Sequence, residues 1–192
     1  MFFATYLLAC ILSNTPDADD ILIADFENNT YGSWTVTGEA FGPGPAQGTL
    51  PGQMHVDGFR GKGLVNSFFQ GDNSLGTLTS PEFRIERKFI TFFIGGGKNP
   101  EKLALQLMID GKVVRSATGL NDKPGGSEAL EADSWDVAEF ADKSARLRIV
   151  DQAQGGWGHI NVDHLVQSDT KPKGTMKDAE RSLSLIHISE PT

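Results

Sequence analysis

The chain has 192 residues, with 25 acidic and 17 basic side chains, a formal net charge of −8 and one cysteine. An acidic chain without basic clusters argues against nucleic acid as a partner. The lone Cys10 excludes an internal disulfide and a cysteine-based metal site. The length suits one domain of about 150 residues with appended ends.

Residues 1–18 are interpreted as a signal-peptide-like segment. Their first twelve residues are continuously apolar but too short to span a bilayer, as in the apolar core of a secretory signal. The run L-L-A-C at residues 7–10 also resembles a lipoprotein lipobox, in which Cys10 would carry a lipid. A buried strand is the third interpretation. We therefore expect an exported protein, with membrane contact only through a lipid anchor at Cys10.

Short strand-like runs with turn residues between them fill residues 20–169. The Asp110-Gly111 pair between two such runs predicts a hairpin, and Pro81 predicts an edge or a bulge. The most hydrophobic run, residues 89–94, predicts a central strand buried on both faces. A glycine- and proline-rich stretch at residues 40–52 predicts a long irregular loop, either functional or disordered. The expected fold is all-β, an antiparallel β-sandwich of the jelly-roll type.

Residues 151–165 hold the densest cluster of unusual chemistry. Three glycines surround Trp157, and His159 follows. The next run alternates apolar and polar residues as a strand does, which places Asn161 and Asp163 on its polar face, with His159 in line with them. Glycines permit close approach of backbone and ligand, and a tryptophan offers a flat face. The alternative is a tight turn with Trp157 as a core anchor.

Sugar recognition needs planar side chains and a few fixed polar groups. Candidates lie in this loop, in the glycine-rich turn at residues 57–68 and in the bare glycine run at residues 95–97, whose backbone is expected to be exposed. Arg60 is alternatively a solvated loop charge, and Asn66 a satisfied structural amide. The predicted carbohydrate-binding residues are Arg60, Asn66, Gly96, Gly97, Asp151, Trp157 and His159.

Catalytic signatures are missing from the sequence. It contains no G-x-S-x-G, no H-E-x-x-H and no cysteine–histidine nucleophile pair. Its carboxylates are scattered, and none forms a recognisable hydrolase pair. The spacing of its histidines fits no zinc-ligand pattern.

Several ordered motifs resemble one known module. They are F-R-G-K-G-L-V-N-S-F at residues 59–68, G-T-L-T-S-P-E-F at 76–83, I-G-G-G at 94–97, D-G-K-V-V-R at 110–115, S-W-D-V at 134–137 and G-G-W-G-H-I-N-V-D at 155–163. Together they resemble the β-sandwich domain N-terminal to the catalytic domain of bacterial glycoside hydrolase family 32 enzymes, the levanase and fructan β-fructosidase group. The resemblance covers about residues 20–175.

The resemblance implies a noncatalytic carbohydrate-binding module with a fructan or related polysaccharide as ligand. The family's nucleophile motif W-M-N-D-P-N-G does not occur, so this chain is not expected to be an enzyme. The resemblance implies a linker at residues 170–183 toward a catalytic propeller domain of the same parent chain. Residues 184–192 resemble a translated sequencing adapter. The alternative is a structural spacer that binds no ligand.

A structural calcium ion is expected to join the two ends of the domain, because the D-F-E start and the V-D end resemble those with which many jelly-roll carbohydrate modules hold calcium. The first strand is predicted at residues 21–27, where Asp25 and Glu27 alternate with one apolar residue, and Asp163 lies in the last strand, so the carboxylates should share a face. Ca²⁺ takes six to eight oxygen ligands, which loop carbonyls would complete. The predicted metal ligands are Asp25, Glu27 and Asp163. Alternatively, these carboxylates are solvated or pair with Arg146 or Lys62.

Overall fold

The computed structural model describes residues 19–172. Within them the chain forms thirteen strands and one short 3-10 helix, Ala138–Phe140. No helix in this part of the chain is long and apolar enough to cross a membrane. The strands are β1 Ile21–Ala24, β2 Thr35–Gly38, β3 Val56–Asp57, β4 Val65–Asn66, β5 Gly76–Thr79, β6 Phe83–Arg84, β7 Phe89–Gly96, β8 Leu103–Ile109, β9 Lys112–Ala117, β10 Glu128–Ala129, β11 Glu131–Asp136, β12 Ser144–Asp151 and β13 Ile160–Ser168.

Two antiparallel sheets form the domain. The first has the order β1-β13-β7-β11, with β4 also paired to β13. The second has the order β2-β5-β12-β8-β9, with β6 also paired to β12. A short parallel pair, β3 with β10, lies outside both. The predicted antiparallel β-sandwich is therefore confirmed.

The core lies between the two sheets, where apolar residues alternate along each strand. In β12, Leu147 and Ile149 are fully buried, and Leu105 of β8 and Phe92 of β7 belong to the same cluster. Truncating such a side chain to alanine removes about 2–5 kcal/mol of stability. This cluster fixes the pairing register, because a one-residue slip would turn these side chains toward solvent.

A second layer of apolar residues covers the outer face of the first sheet. Val56, Leu64 and Leu130 are buried there, with Ala46 beside them. The bridge between Ala46 and Leu64 ties the loop at residues 40–52 to this face. That loop is thus an ordered cover, which explains why the polar face of β13 is buried.

The hairpin predicted at Asp110-Gly111 joins β8 to β9. Both residues have positive φ, 50° and 74°, as a two-residue turn of the I′ type requires. The run at residues 76–85 is interrupted at Pro81 into β5 and β6, and both pair with β12. The Ser80 hydroxyl there accepts a hydrogen bond from the Leu147 backbone N–H, at 2.8 Å, where the regular ladder stops. Strand β11 ends at Asp136, and the 3-10 helix follows at Ala138–Phe140.

Three predictions about local structure were wrong. The first strand ends at Ala24 rather than at residue 27, because the chain turns at Phe26, whose φ is 56° and whose ring packs 5.4 Å from Trp34. Residues 89–94 form an interior strand whose outer face is only half-buried. The glycine run at residues 95–97 is buried instead of exposed.

The appended segments cannot be compared with the structure. The predicted signal-like segment, residues 1–18, and the adapter-like residues 184–192 lie outside the described residues. Of the linker at 170–183, only residues 170–172 are described.

Candidate functional site

An open cleft of about 220 Å³ lies where the loop between β12 and β13 meets three other loops. One of these loops precedes β3, one joins β4 to β5, and one precedes β10. Aromatic, thioether, amide and charged side chains share the walls, a mixture typical of a small-ligand site. The lining residues are Gly52, Gln53, Met54, Phe68, Asp72, Gly125, Glu128, Trp157 and His159.

Trp157 forms one wall of this cleft. Its indole N–H donates a 2.8 Å hydrogen bond to the Lys123 carbonyl, and its ring stacks on His159 with 5.9 Å between centroids and a 30° interplanar angle. Its φ of 60° lies in the left-handed region, and it follows two exposed glycines. These contacts hold the side chain rigidly. It is half-buried and therefore is not enclosed in the core.

His159 lies between two carboxylates at the base of the cleft. Its Nδ1 is 2.7 Å from Asp72 Oδ1, and its Nε2 is 3.0 Å from Glu128 Oε2. The same Glu128 oxygen accepts a 3.0 Å hydrogen bond from the Asn161 amide. Burial opposes the charged form of His159, but Glu128 and then Asp72 outweigh it and raise the pKa of the imidazole. The imidazole is therefore a buried group held by a carboxylate at each ring nitrogen.

Asp151 lies behind the cleft and does not line it. It is fully buried, its Oδ1 accepts a 3.3 Å hydrogen bond from the Ala153 N–H, and its Oδ2 has no partner within residues 19–172. Burial raises the pKa of Asp151 to about 7. This buried position corrects the expectation that Asp151 contacts a sugar directly.

The glycine run supports the cleft from behind. The Gly97 N–H donates to the His159 carbonyl at 2.9 Å, and a Cβ on Gly97 would lie 1.9 Å from the Trp157 carbonyl oxygen. Gly96, at φ 86°, offers its carbonyl to the Asn121 amide at 2.9 Å. These glycines permit close packing of backbone on backbone and are not accessible to a ligand.

Asn66 also lies behind the wall. Its amide N–H donates to Gln53 Oε1 at 2.7 Å, and its Oδ1 accepts from Gln53 Nε2 at 3.3 Å and from the Phe68 N–H at 3.1 Å. It is buried, so the interpretation as a satisfied structural amide holds. Its contribution to the cleft is to position Gln53, which does line it.

Arg60 is not part of this cleft. Its guanidinium lies 5.0 Å above the Phe93 ring, and its Nη1 is 2.9 Å from His164 Nε2, on a different groove. The predicted convergence of Arg60 with Trp157 is therefore wrong. Of the predicted sugar-binding side chains, the structure brings Trp157 and His159 together in one site.

Several cleft residues had no signal in the sequence. Asp72 and Glu128 lie in turn-rich segments 87 and 31 residues from His159. Gln53 and Met54 are equally unmarked by any motif. Only the pairing of β13 with its neighbours brings these residues to His159.

The predicted metal ligands lie at the other end of the polar face of β13. Glu27 accepts hydrogen bonds from the N–H groups of Lys62 and Gly63, at 2.9 and 3.0 Å to Oε1. The alternative was that these carboxylates pair with Lys62 or Arg146. Lys62 contacts Glu27 through its backbone N–H, and Arg146 pairs with Glu82. The Glu27 pKa is lowered by the Gly63 N–H and then the Lys62 N–H.

Asp163 is fully buried in this cluster. Its Oδ2 accepts a 2.7 Å hydrogen bond from the Arg60 N–H, but its Oδ1 has no hydrogen-bond partner within residues 19–172. Burial raises the Asp163 pKa to about 7, and the charges of Glu27 and Asp25 add to the shift. A buried, unpartnered carboxylate oxygen facing two further carboxylates fits a cation ligand.

Side chains alone would not complete a metal site here. In the described part of the chain, no three His, Cys, Asp or Glu side chains form a group that could hold a metal ion. A calcium ion would therefore need backbone carbonyls in addition to carboxylates, as its high coordination number allows.

Comparison with known proteins gives one curated relative. No family model matches the chain. A protein from Aspergillus rugulosus named "Putative glycosyl hydrolase ecdE" is 40% identical over 156 residues, which is 80% of this chain. The chain spans only 22% of that relative's length, so the likeness concerns one region of a longer protein.

Solved structures with a similar fold share less sequence identity with this chain. The K1 cleaved adhesin domain of Lys-gingipain from Porphyromonas gingivalis has a TM-score of 0.49 and 17% identity, and covers 80% of this chain and 100% of its own. A Caldicellulosiruptor saccharolyticus CBM27-1 complexed with mannohexaose has a TM-score of 0.42 and 14% identity, and covers 81% and 100%. At these scores the likenesses carry no argument about function.

Proposed function

We propose that this chain is a noncatalytic carbohydrate-binding module of a longer, exported glycoside hydrolase, and that its sugar site is the cleft beside Trp157. The observation that carries the proposal is the half-buried indole held by Lys123 and His159 at the wall of an open cleft. A rigid aromatic face can stack on the C–H face of a sugar ring without a large loss of side-chain entropy.

Polar groups for sugar hydroxyls stand beside that face. Gln53, Asp72 and Glu128 line the same cleft, and each is already fixed by hydrogen bonds to Asn66 or His159. Fixed polar groups favour binding because little ordering is left for the ligand to induce. A carboxylate has further lone pairs after accepting one hydrogen bond, so it can still accept from a hydroxyl.

The same contacts argue against hydrolysis in this cleft. A glycosidase needs one carboxyl group to donate a proton and a second to act as base or nucleophile. Here the imidazole of His159 contacts an oxygen of both Asp72 and Glu128. The two carboxylates of the cleft are therefore engaged with the protein itself, which suits binding better than hydrolysis.

We further propose a fructan as ligand and a family 32 hydrolase as parent. The ordered sequence motifs support this assignment, and the 40% identity to a region of a protein named as a glycosyl hydrolase is compatible with it. The catalytic propeller would then lie elsewhere in the parent chain. A spacer domain that packs against the propeller and binds nothing is the competing function, and it leaves the cleft unexplained.

A structural calcium ion is also proposed, at Asp25, Glu27 and Asp163. Support comes from the unpartnered Oδ1 of buried Asp163 and from the two carboxylates that raise its pKa. The ion would bring positive charge to buried Asp163 and would tie the chain after β1 to β13.

The binding screen uses the 192-residue chain against levan, inulin and sucrose, with a mannan as an unrelated polysaccharide. We expect retention on levan or inulin in affinity electrophoresis, and no release of fructose on prolonged incubation. Binding to mannan alone would reject the fructan assignment. Failure to bind any glycan would favour the spacer, and fructose release that co-purifies with the chain would reject the noncatalytic assignment.

A further inference from the structure

A second groove, separate from the Trp157 cleft, lies on the outer face of the first sheet. Its volume is about 480 Å³, within the roughly 300–1,000 Å³ typical of ligand pockets. Strands β7, β11 and β13 form its floor, and the Arg60 turn and the residues after β13 form its rim. Among the lining residues are Arg60, Thr91, Phe93, Ala132, His164 and Ser168.

The Arg60 guanidinium is positioned in this groove by two contacts. It lies 5.0 Å above the Phe93 ring centroid, and its Nη1 is 2.9 Å from His164 Nε2. The backbone N–H of Arg60 donates to Asp163, at 2.7 Å, which anchors the base of the side chain. An arginine stacked on an aromatic ring and held at one nitrogen is pre-organised, so less entropy is lost when it binds a ligand.

The rest of the guanidinium has no protein partner in residues 19–172. Its single hydrogen bond goes to His164, and it takes part in no ion pair with a carboxylate. Other arginines of the chain, by contrast, are paired: Arg84 with Asp142 and Arg115 with Glu139. An exposed, fixed and unpaired arginine is the planar donor that matches a carboxylate.

The surroundings suit a sugar ring that carries that carboxylate. Thr91, Ser168 and Thr170 bring hydroxyl groups to the groove, and these can donate to or accept from sugar hydroxyls. Phe93 is half-buried and adds an apolar surface. Asp20 also lines the groove and could pair with a cationic ligand. Arg60 is the charged group that other contacts hold in place, so the groove favours an anionic ligand.

We propose that this groove is a second binding site, for a carboxylate-bearing saccharide such as a uronic acid residue, with Arg60 as the residue that recognises the carboxylate. The site stands on Arg60, Phe93 and His164 and shares no lining residue with the Trp157 cleft. Whether this groove binds a uronate therefore does not depend on whether the Trp157 cleft binds a fructan.

The test is isothermal titration calorimetry of the full chain with galacturonate oligomers and, as the matched neutral probe, galactose oligomers of equal length. We expect galacturonate to bind and the neutral oligomer to bind at least about tenfold more weakly, the difference that one charge-assisted contact provides. Equal affinity for the two probes, or no binding of galacturonate, would overturn the proposal.

Variants locate the site. Arg60→Gln removes the cation while leaving its backbone N–H on Asp163, and it should weaken galacturonate binding about tenfold or more. Ala132→Glu places a negative charge in the groove wall without altering Arg60 and should have a similar effect. Trp157→Ala should leave galacturonate affinity unchanged. Loss of binding in Trp157→Ala together with retention in Arg60→Gln would assign the uronate to the cleft and reject the groove.

Discussion

Two buried polar clusters lie on the same face of β13, and they solve the burial of charge in different ways. Just before its first residue, the imidazole of His159 lies between Asp72 and Glu128. Four residues further on, buried Asp163 has one oxygen without a hydrogen-bond partner within residues 19–172, and the charges of Glu27 and Asp25 help to raise its pKa. In the first cluster both carboxylates have hydrogen-bond partners within the protein, whereas the second is the cluster at which we propose a calcium ion.

The His159 cluster is expected to stabilise the fold, whereas the Asp163 cluster is expected to bind a ligand. Removing one partner of a buried charge pair is strongly destabilising because it leaves an uncompensated charge. Adding the missing partner to an incomplete cluster is stabilising for the same reason. The two ends of β13 should therefore respond oppositely to perturbation.

The largest effect is expected from His159→Leu. It leaves buried Glu128, 3% exposed, without its positive partner, and we expect a loss of about 3–5 kcal/mol in the free energy of unfolding. Urea denaturation would measure it. Glu128→Leu combined with His159→Leu should recover part of the loss, since both buried charges are then gone. A loss below about 1 kcal/mol in the single variant would mean that the His159–Glu128 pair is not a buried ion pair.

Calcium is expected to stabilise the folded protein through the Asp163 cluster. At a concentration one hundred times its dissociation constant, a ligand that binds only the folded state adds about 2.7 kcal/mol. We expect Ca²⁺ to raise the melting temperature of wild type, and a chelator to lower it again.

The matched variants are Glu27→Gln with Asp163→Asn, in which calcium should have no effect, and Asp142→Asn, in which it should act as in wild type. Asp142 is an exposed carboxylate paired with Arg84, away from β13. Identical melting curves of wild type with and without chelator would exclude the ion.

A pH-dependent effect is expected from Asp151. Its pKa is about 7 in the folded protein against an ordinary 3.8, so the folded state holds the proton more tightly than the unfolded state. Stability should therefore fall as pH rises from about 4 to 7, by at most about 1.4 kcal/mol per pH unit for this one group. Asp151→Asn should remove that part of the slope. A parallel stability–pH profile in the variant would show that Asp151 does not titrate in this range.

Local signals in the sequence predicted most of the fold. The Asp110-Gly111 pair specified a hairpin, and the alternation in residues 145–150 and 160–166 matched β12 and β13. The end of the first strand was missed because tertiary packing decides it. Phe26 adopts a positive φ to pack near Trp34, and no local pattern requires that conformation.

The candidate site was predictable only in part. Trp157 and His159 stand out among glycines, but their partners Lys123, Asp72 and Glu128 come from distant loops. The burial of Asn66 and Asp151 depends on the cover formed by residues 40–52 and on the second sheet, which alternation along one strand does not reveal. Arg60 is placed in another groove by its contact with Phe93.

The most direct test of the carbohydrate-binding assignment is the affinity of wild type and Trp157→Ala for levan, measured by calorimetry on folded protein, with Val113→Ala as control. Val113 is an exposed apolar residue on β9, 45% accessible and outside the cleft. We predict that Trp157→Ala weakens binding by about tenfold, the equivalent of about 1.4 kcal/mol, while Val113→Ala binds as wild type does. Equal binding by all three proteins would contradict a sugar site at Trp157.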